Sequence, residues 1–398
     1  MQVRWPLKAF GEGGTFGRPV AERIRAWGVA GTVPRAAAAA LVVFAILFVL
    51  VIANPPDENG AGSWRTTNYG SAFDDPNTFV ANLLDTATLA GWLFIVASGF
   101  SLIFGLMRVV NMAHGVFYVL GGYIAYEIQQ RMTAETPGFV PGELVNTWEW
   151  VIPLAVSMLC IGLLGLGIEQ GFLRWNQGQD LRQALITIAI SVIIADQIIA
   201  HFPRSGAFQT GGGNLATITW PGWTGRRVDV HLAGVEYSLT RLSILALGIG
   251  VGVALWLWLH RTRTGMVIRA GVDDRQMTSA LGINIKRTFA IAFFVGSALA
   301  AMGGTVGASQ GGVSSGQDGL WLLYSLVVVI VGGMGSLVGA AAGSLLVAFV
   351  LTFSASYLPS TGNPAGAECC TQYSITFTFA LIALVLAFRP QGLFGKAA

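Results

Sequence analysis

Long apolar runs separated by short polar gaps make up most of this sequence, and they limit the chain to a membrane-embedded fold. Most runs approach the roughly 20 apolar residues that a helix needs to cross a bilayer. Only 11% of the 398 residues are charged, less than half of the about 25% that is usual in soluble domains. The ten runs are residues 36–53, 79–106, 112–128, 150–168, 184–200, 242–259, 288–308, 320–331, 337–357 and 374–388.

These runs predict an all-α fold, a polytopic transmembrane helical bundle with eight to ten membrane segments. The run at 320–331 is short for a full crossing, so it indicates a broken or re-entrant helix packed within protein, where irregular backbone is tolerated. Residues 1–35 form a basic tail, residues 36–78 an extra apolar run with a polar loop, and residues 79–395 the main transmembrane domain. We expect run 36–53 to be a retained anchor helix, because it does not end in a small-residue cleavage motif.

The basic residues predict the orientation of the chain. Most of the 23 lysines and arginines lie in the N-terminal tail, in the 260–287 loop and in other gaps on the same side of the predicted bundle. Because cytoplasmic loops carry such an excess, we expect a multi-pass protein of the plasma (inner) membrane with both termini in the cytoplasm. The net charge of +3 is mild, so no nucleic acid partner is expected.

A polar cluster lies between the second and third runs. Asn111 and His114 each need a partner or a water-lined cavity at this position. Both could cap the following helix and direct its N-terminal amides toward a translocation pathway. The alternative is a tight cytoplasmic turn, because a single histidine is more often structural. With Tyr118, these two residues are the first group of candidate pathway residues.

A glycine-rich break follows the short run at 320–331. Gly332 and Gly333 interrupt a β-branched segment shortly before Ser336. Glycine-interrupted apolar segments often mark the substrate sites of transporters, so these three residues form the second group of pathway candidates. Glycines spaced by four residues also let membrane helices approach closely. For this second pattern we favour helix packing over direct substrate contact, and its members are Gly335, Gly339 and Gly343.

The 260–287 loop has the pattern of a short amphipathic helix on the cytoplasmic side. Asp273 and Asp274 are favourable at the start of a helix, and Gly282 is a plausible C-terminal cap. Between them, apolar residues at a helical spacing form an exposed stripe that needs a cover. That cover is the protein's own helices, the membrane surface or a partner protein. The candidate contact residues are Arg269, Asp273, Asp274, Met277, Leu281 and Gly282.

Four motifs occur in one order along the chain. They are Val-Asn-Met-Ala-His-Gly at 110–115, the loop segment 269–284, Gly-Gly-Met-Gly-Ser at 332–336 and Arg-Pro-Gln-Gly-Leu-Phe-Gly at 389–395. In this order and spacing they closely resemble the permease subunits of the branched-chain amino acid (leucine/isoleucine/valine) ABC importers. The resemblance covers about residues 79–395, and the first 78 residues have no counterpart in it.

The resemblance implies an importer that moves branched-chain amino acids or a related small solute. Its implied partners are a second permease subunit, two cytoplasmic ATPase subunits and an extracytoplasmic substrate-binding protein. The 264–284 segment would then be the coupling helix that docks on an ATPase. None of the lysines lies in a phosphate-binding G-x-x-x-x-G-K-[ST] motif, so ATP is expected on the partner subunits, with no cofactor or metal in this chain.

Three other functions remain open at this point. A urea or amide permease of the same family would have the same motifs. A secondary transporter driven by an ion gradient would use buried acidic groups, for which the candidates are Asp85, Glu127, Asp196 and Asp318. A membrane enzyme is the least favoured, because the sequence has no H-E-x-x-H and no His/Cys cluster; we expect no enzyme activity and no catalytic residues.

Overall fold

The computed structural model describes residues 76–107, 110–134, 145–176, 178–201, 216–225, 227–230, 235–357, 371–388 and 392–394. Within these ranges the chain is mostly α-helical. A π-helical turn (Glu169–Leu173) and a 3-10 turn (Arg174–Asn176) extend the third helix, and a second 3-10 turn is Gly222–Gly225. The α-helices are α1 (Pro76–Met107), α2 (His114–Ala134), α3 (Trp148–Ile168), α4 (Asp180–His201), α5 (Leu239–Arg261), α6 (Arg263–Asp273), α7 (Arg275–Ala280), α8 (Ile285–Gln310), α9 (Asp318–Gly332), α10 (Leu337–Tyr357) and α11 (Thr371–Phe388).

Six helices of the described part are long and apolar enough to cross a membrane. Nine of the ten predicted apolar runs coincide with helices, and the tenth, residues 36–53, lies outside the described residues together with the basic tail. The helical membrane fold is therefore confirmed, whereas the predicted count of eight to ten segments is not. The six spans are Asn77–Met107, Trp148–Asn176, Asp180–His201, Leu239–Arg261, Ile285–Gln310 and Leu337–Ser356.

Helix α8 lies at the centre of the bundle and packs against α1, α2 and α3. Small residues make this possible, because they let helix backbones approach closely where lipid provides no hydrophobic driving force for association. A Cβ atom at Gly99 of α1 would lie 2.5 Å from the carbonyl oxygen of Gly296. A Cβ atom at Gly121 of α2 would lie 2.5 Å from the Cα atom of Ala301.

Helix α1 forms a second packing centre, with α5, α9 and α10 around it. Helices α9 and α10 approach each other through glycines: a Cβ atom at Gly339 would overlap the carbonyl oxygen of Gly332, and one at Gly343 would overlap that of Val328. Gly335 does not share this helix face as its spacing predicted. It lies in the turn before α10 with a φ of 79°, a left-handed conformation that favours glycine.

A short β-hairpin precedes α5 and was not predicted from the sequence. Strands β1 (Arg227–Val230) and β2 (Val235–Ser238) pair antiparallel, with Val228 opposite Tyr237. The Tyr237 hydroxyl donates to Oδ1 of Asp85 on α1 at 2.7 Å, and Arg241 forms an ion pair with the same carboxylate. Burial raises the pKa of Tyr237 to about 12, so the phenol keeps its proton and the hairpin stays tied to α1.

Candidate functional site

Helix α2 begins beside the middle of α1 rather than at its end. Nε2 of His114, the first residue of α2, lies 3.0 Å from the carbonyl oxygen of Val96. Val96 precedes the last residue of α1, Met107, by eleven positions, or about 16 Å at 1.5 Å per residue. The His114 ring is fully buried and meets the ring of Phe100 edge-on. The start of α2 is thus deep inside the bundle.

Helix α9 also begins at this depth. Trp321, in its first turn, packs against Trp92 in the middle of α1 with 4.5 Å between the ring centroids. The N-terminal ends of α2 and α9 touch each other, since a Cβ atom at Gly115 would overlap the carbonyl oxygen of Asp318. Because α9 has only 15 residues, the broken or re-entrant helix predicted for 320–331 corresponds to a short helix that starts within the bundle.

An aromatic cluster covers the junction of these two helix ends. Tyr118 of α2 stacks on Trp321 with 4.2 Å between centroids, and Tyr324 meets Trp321 edge-on at 5.9 Å. The Trp92 indole donates to the carbonyl oxygen of Gly303 at 3.0 Å. Gly307 leaves room for the cluster, because a Cβ atom there would overlap the Tyr118 hydroxyl. Tyr118 and Trp321 are buried, whereas Trp92 and Tyr324 are partly exposed.

The two groups of candidate pathway residues lie at different places. Asn111, His114 and Tyr118 are together at the α2 start, where Oδ1 of Asn111 accepts from the amide of Ala113 at 3.1 Å. The residues of the second group are at the opposite end of α9, where the turn at Gly335 contacts Gly105, near the end of α1. That second group is Gly332, Gly333 and Ser336, with Oγ of Ser336 accepting from the amide of Gly339 at 3.0 Å. The structure therefore does not join the two groups in one site.

The 260–287 loop folds into two helices, α6 and α7, instead of the single helix that its pattern predicted. Thr262 caps α6 by accepting from the amide of Gly265 at 3.1 Å, and Asp274 caps α7 by accepting from that of Met277 at 2.9 Å. Asp273 is the last residue of α6 and does not begin a helix. The chain bends between Asp273 and Asp274 because Asp274 has an extended backbone. Gly282 follows α7 with a φ of 79°.

Helices α6 and α7 connect the bundle to an exposed apolar surface. On the inner side, a Cβ atom at Gly271 would lie 2.9 Å from the Leu106 side chain, and Val272 lies near Gly335. On the outer side, Met277 and Leu281 are exposed by 59% and 73% of their surface. Arg269 is also exposed. A force applied to the exposed surface would therefore reach the end of α1 and the α9–α10 turn.

Sequence reasoning did not identify Trp92, Trp321 or Glu169. The tryptophans looked like ordinary members of apolar runs, and only the three-dimensional packing brings them to the helix junction. Glu169 is buried in the π-helical turn, and neither of its carboxylate oxygens has a hydrogen-bond partner among the residues that the structure describes. A carboxylate directly after the apolar run 150–168 is unusual, and that signal could have identified it. Among the described residues, no group of three or more His, Cys, Asp or Glu residues could hold a metal ion.

The family match and the sequence relatives agree on one family. The family described as "Branched-chain amino acid transport system / permease component" matches residues 82–386. The chain is 26% identical over 322 residues to the high-affinity branched-chain amino acid transport system permease protein BraD of Pseudomonas aeruginosa, covering 80% of this chain and 96% of BraD. It is 24% identical over 323 residues to the corresponding permease protein LivH of Escherichia coli, with the same coverage.

Among solved structures, PsaBC from Streptococcus pneumoniae in complex with Fab aligns with 81% of this chain and 94% of its own chain, at a TM-score of 0.42 and 10% identity. That similarity is too low to support an argument. The family match spans more than half of the chain and includes the helix junction, α6, α7 and the α9–α10 turn. This chain therefore belongs to the permease components of branched-chain amino acid transport systems, multi-pass proteins of the inner membrane.

Proposed function

We propose that this chain is the transmembrane permease subunit of an ABC importer for branched-chain amino acids. A binding protein delivers the solute on the extracytoplasmic side, and two ATPase subunits bind and hydrolyse ATP in the cytoplasm. A second permease subunit completes the pathway. The similarity to BraD and LivH over most of the chain supports this assignment. The chain itself supplies the pathway and the coupling surface and binds no cofactor.

The junction of the α2 and α9 N-termini is the observation that favours an amino acid as cargo. Helix N-termini carry a partial positive charge that suits a carboxylate, and broken helices present such ends to substrates in transporters. Asp318, half-buried in the first turn of α9, offers the opposite charge for an ammonium group. The neighbouring ring of Trp321 offers an apolar surface for a branched side chain. A zwitterionic branched-chain amino acid uses all three features. Urea is neutral and has no carboxylate, no ammonium group and no branched side chain to place there.

Transport is proposed to proceed by alternating access around this junction. ATP-driven closure of the ATPases moves α6 and α7 through the exposed Met277 and Leu281, and the contacts of Gly271 and Val272 pass the movement to α1 and the α9–α10 turn. Asn111, His114, Tyr118, Gly332, Gly333 and Ser336 remain the proposed pathway residues, the first three at the junction and the others at the cytoplasmic end. Arg269, Asp273, Asp274 and Gly282 remain proposed coupling residues.

The proposal includes more membrane segments than the six long spans. Helices α2, α9 and α11 are embedded with them, because α2 and α9 begin inside the bundle and α11 packs against α10. With residues 36–53, which lie outside the described residues, the total reaches the predicted upper limit of ten. Accessibility labelling of single cysteines in successive gaps would count the crossings.

Uptake into proteoliposomes tests the cargo. The complex with its ATPases, second permease and binding protein is supplied with labelled leucine, valine, urea and acetamide, with and without ATP. We expect ATP-dependent uptake of leucine and valine. Uptake of only urea or acetamide would establish the alternative cargo of this family, and uptake driven by an ion gradient without ATP would contradict the importer.

The Asp318→Asn variant tests the zwitterion site. Removing the charge should lower the apparent affinity for leucine about tenfold, the effect of roughly 1.4 kcal/mol. Asp180→Asn is the matched control, because Asp180 also occupies the first turn of a helix but lies exposed on α4. Equal leucine affinity in the two variants would exclude Asp318 from the substrate site.

The Gly282→Ala variant tests coupling. A side chain at a φ of 79° is strained by about 1–2 kcal/mol, which should disturb the end of α7 and lower transport per ATP hydrolysed. Gly178→Ala is the control, since Gly178 has a φ of 87°, has no described residue beyond its chain neighbours within 4 Å of its Cβ position and lies outside α6 and α7. If both variants transport with the wild-type ratio of solute to ATP, the coupling role of this turn is wrong.

A further inference from the structure

The face of α5 that points away from the bundle carries a shallow groove. The groove has a volume of about 460 Å³ and is lined by Ser243, Ala246, Leu247, Gly250, Val251 and Ala254. Three of these, Ala246, Gly250 and Ala254, are exposed and follow one another at intervals of four residues. Among the described residues, no heavy atom outside the neighbouring turns of α5 lies within 4 Å of the position of a Cβ atom at Gly250. The floor of the groove is therefore open helix backbone.

Helix α5 uses small residues on two opposite faces. On the inner face, Gly248 packs so closely against α1 that a Cβ atom there would lie 2.7 Å from the Cα atom of Gly91. Gly250 is two positions further along, and two residues correspond to about 200° of rotation around a helix. The inner face has its partner in α1, whereas the face of Gly250 has none among the described residues.

The other poorly buried helix, α4, has a different outer surface. Its exposed positions are occupied by large aliphatic side chains such as Leu185, Ile188 and Val192. Such side chains keep a neighbouring backbone at a distance, whereas glycine and alanine at intervals of four let it come close. The outer face of α5 is thus suited to a packed helix, and that of α4 is suited to lipid.

The chain contains one apolar segment that the family does not account for. The family match begins at residue 82, and the alignment with BraD covers 96% of that protein with only 80% of this chain. Residues 36–53 are uncharged and apolar and lie outside the described residues. Eighteen such residues predict a membrane helix of about 27 Å, and Phe44, Leu47, Phe48 and Val51 fall on one of its faces.

The connection to α1 lets this segment reach α5. Residues 54–75 separate it from Pro76, and 22 residues extend to about 70 Å. The first half of α1 lies directly beside the first half of α5, where Thr88 donates to the carbonyl oxygen of Arg241 at 3.3 Å. The basic tail before residue 36 and the basic 260–287 loop after α5 are both expected in the cytoplasm. The Ala53 end of the segment and the Leu239 end of α5 then share the opposite side of the membrane, which makes the two helices antiparallel.

We infer that residues 36–53 form a helix that packs antiparallel to α5 and fills this groove with the face of Phe44 and Phe48. The fit joins a surface of small residues to a surface of large ones, as close helix packing requires. This arrangement brings the basic tail, residues 1–35, to the end of α5 at Arg261, where α6 begins. The tail thereby lies next to the helices proposed to couple the permease to its ATPases. The inference does not depend on which solute is transported.

Cysteine cross-linking in membranes tests the contact. In a background with Cys160, Cys369 and Cys370 replaced by serine, Gly250→Cys is combined in turn with Phe44→Cys, Leu47→Cys and Phe48→Cys. A protease site is inserted between residues 54 and 75. We expect oxidation to link the two fragments, so that the cleaved chain keeps its full-length mobility without reductant. Ile188→Cys on α4 replaces Gly250→Cys in the control pairs and should give no such link.

Two outcomes would overturn the inference. Cross-linking of Gly250→Cys to a second copy or to the other permease subunit would assign the groove to a partner. The absence of a link at every cysteine placed along residues 41–52, in a chain that still assembles, would leave the groove to lipid. As an independent measurement, Gly250→Cys in a chain lacking residues 1–53 should react faster with a membrane-permeant maleimide than in the full chain. An unchanged reaction rate in a folded, truncated chain would likewise contradict the contact.

Discussion

Helices α8 and α4 have almost the same mean hydropathy, but the most apolar stretch of α8 is 78% buried within the bundle and that of α4 only 11%. The difference lies in side-chain size. The inner part of α8 is rich in glycine and alanine, including Gly296 and Gly304, whereas α4 is rich in isoleucine and leucine. Hydropathy brings a segment into the membrane, where helices gain no hydrophobic energy by associating. Small residues then decide which segment becomes the centre of the bundle.

The largest expected effect of this difference comes from truncating a large side chain in each helix. Phe293 of α8 is 1% exposed, and Leu185 of α4 is 58% exposed. Phe293→Ala should lower the free energy of unfolding by about 4 kcal/mol, because it leaves a cavity in close-packed protein. Leu185→Ala should change it by less than about 0.5 kcal/mol. Thermal unfolding in a mild detergent measures both, and similar losses in the two variants would break the comparison.

Adding a methyl group should have a slightly smaller effect. Gly304→Ala on α8 drives a Cβ atom into the carbonyl oxygen of Tyr118, and backbone atoms cannot move aside without separating α2 from α8. We expect a loss of about 3 kcal/mol. Gly167→Ala on α3 is the matched control, because no other described part of the chain lies within 4 Å of its Cβ position and alanine is the better helix former by about 1 kcal/mol.

A Gly304→Ala variant with wild-type thermal stability would show that the α2–α8 contact can relax. The close approach of small residues would then be a consequence of the fold and not its cause. A destabilised Gly167→Ala variant would also contradict the comparison, because there the added methyl group meets no neighbouring helix. Measuring both variants in one detergent and one lipid keeps the comparison direct.

The sequence predicts the helices of this bundle better than their arrangement. The apolar runs mark nine of the helices because hydropathy is a local property. The start of α2 beside Val96 and that of α9 beside Trp92 depend on contacts between distant residues, which no local pattern contains. The sequence identified Asn111, His114 and Tyr118 as candidates because a polar cluster between apolar runs is a strong signal, but it did not predict that the start of α9 lies beside them. Trp321 carries no such signal, since tryptophan is common in apolar helices.

The 260–287 loop shows the same limit. Its amphipathic spacing and Gly282 correctly predicted the helix end that the structure shows after Ala280, because such signals depend on only a few neighbouring residues. The division into α6 and α7 depends on the extended backbone of Asp274, whose side chain caps α7. Asp273 and Asp274 are both acceptable at a helix start, so their types alone could not show that the first ends one helix and the second begins another.

Hydrogen bonds within the bundle should contribute less than packing. Thr305 of α8 and Ser157 of α3 are buried, and their hydroxyl oxygens lie 3.0 Å apart. A double-mutant cycle with Ser157→Ala and Thr305→Val should give a coupling energy of about 0.6 kcal/mol, the average for such bonds in membranes. A coupling energy as large as the Phe293→Ala loss would mean that polar contacts, and not side-chain size, hold α8 at the centre.

The smallest effect is expected at the one acidic residue in the second half of α4. Asp196 is exposed and precedes the last residue of the helix, His201, by five positions, about 8 Å along the axis. A carboxylate is costly at the centre of a bilayer, but near a helix end it can reach the interfacial water. If the outer face of α4 contacts lipid, Asp196→Leu should change the stability by less than about 0.5 kcal/mol and leave uptake unchanged. Copurification of the second permease subunit is the decisive measurement, because loss of that partner would show that α4 lies at a subunit interface and that its low burial reflects a missing protein neighbour.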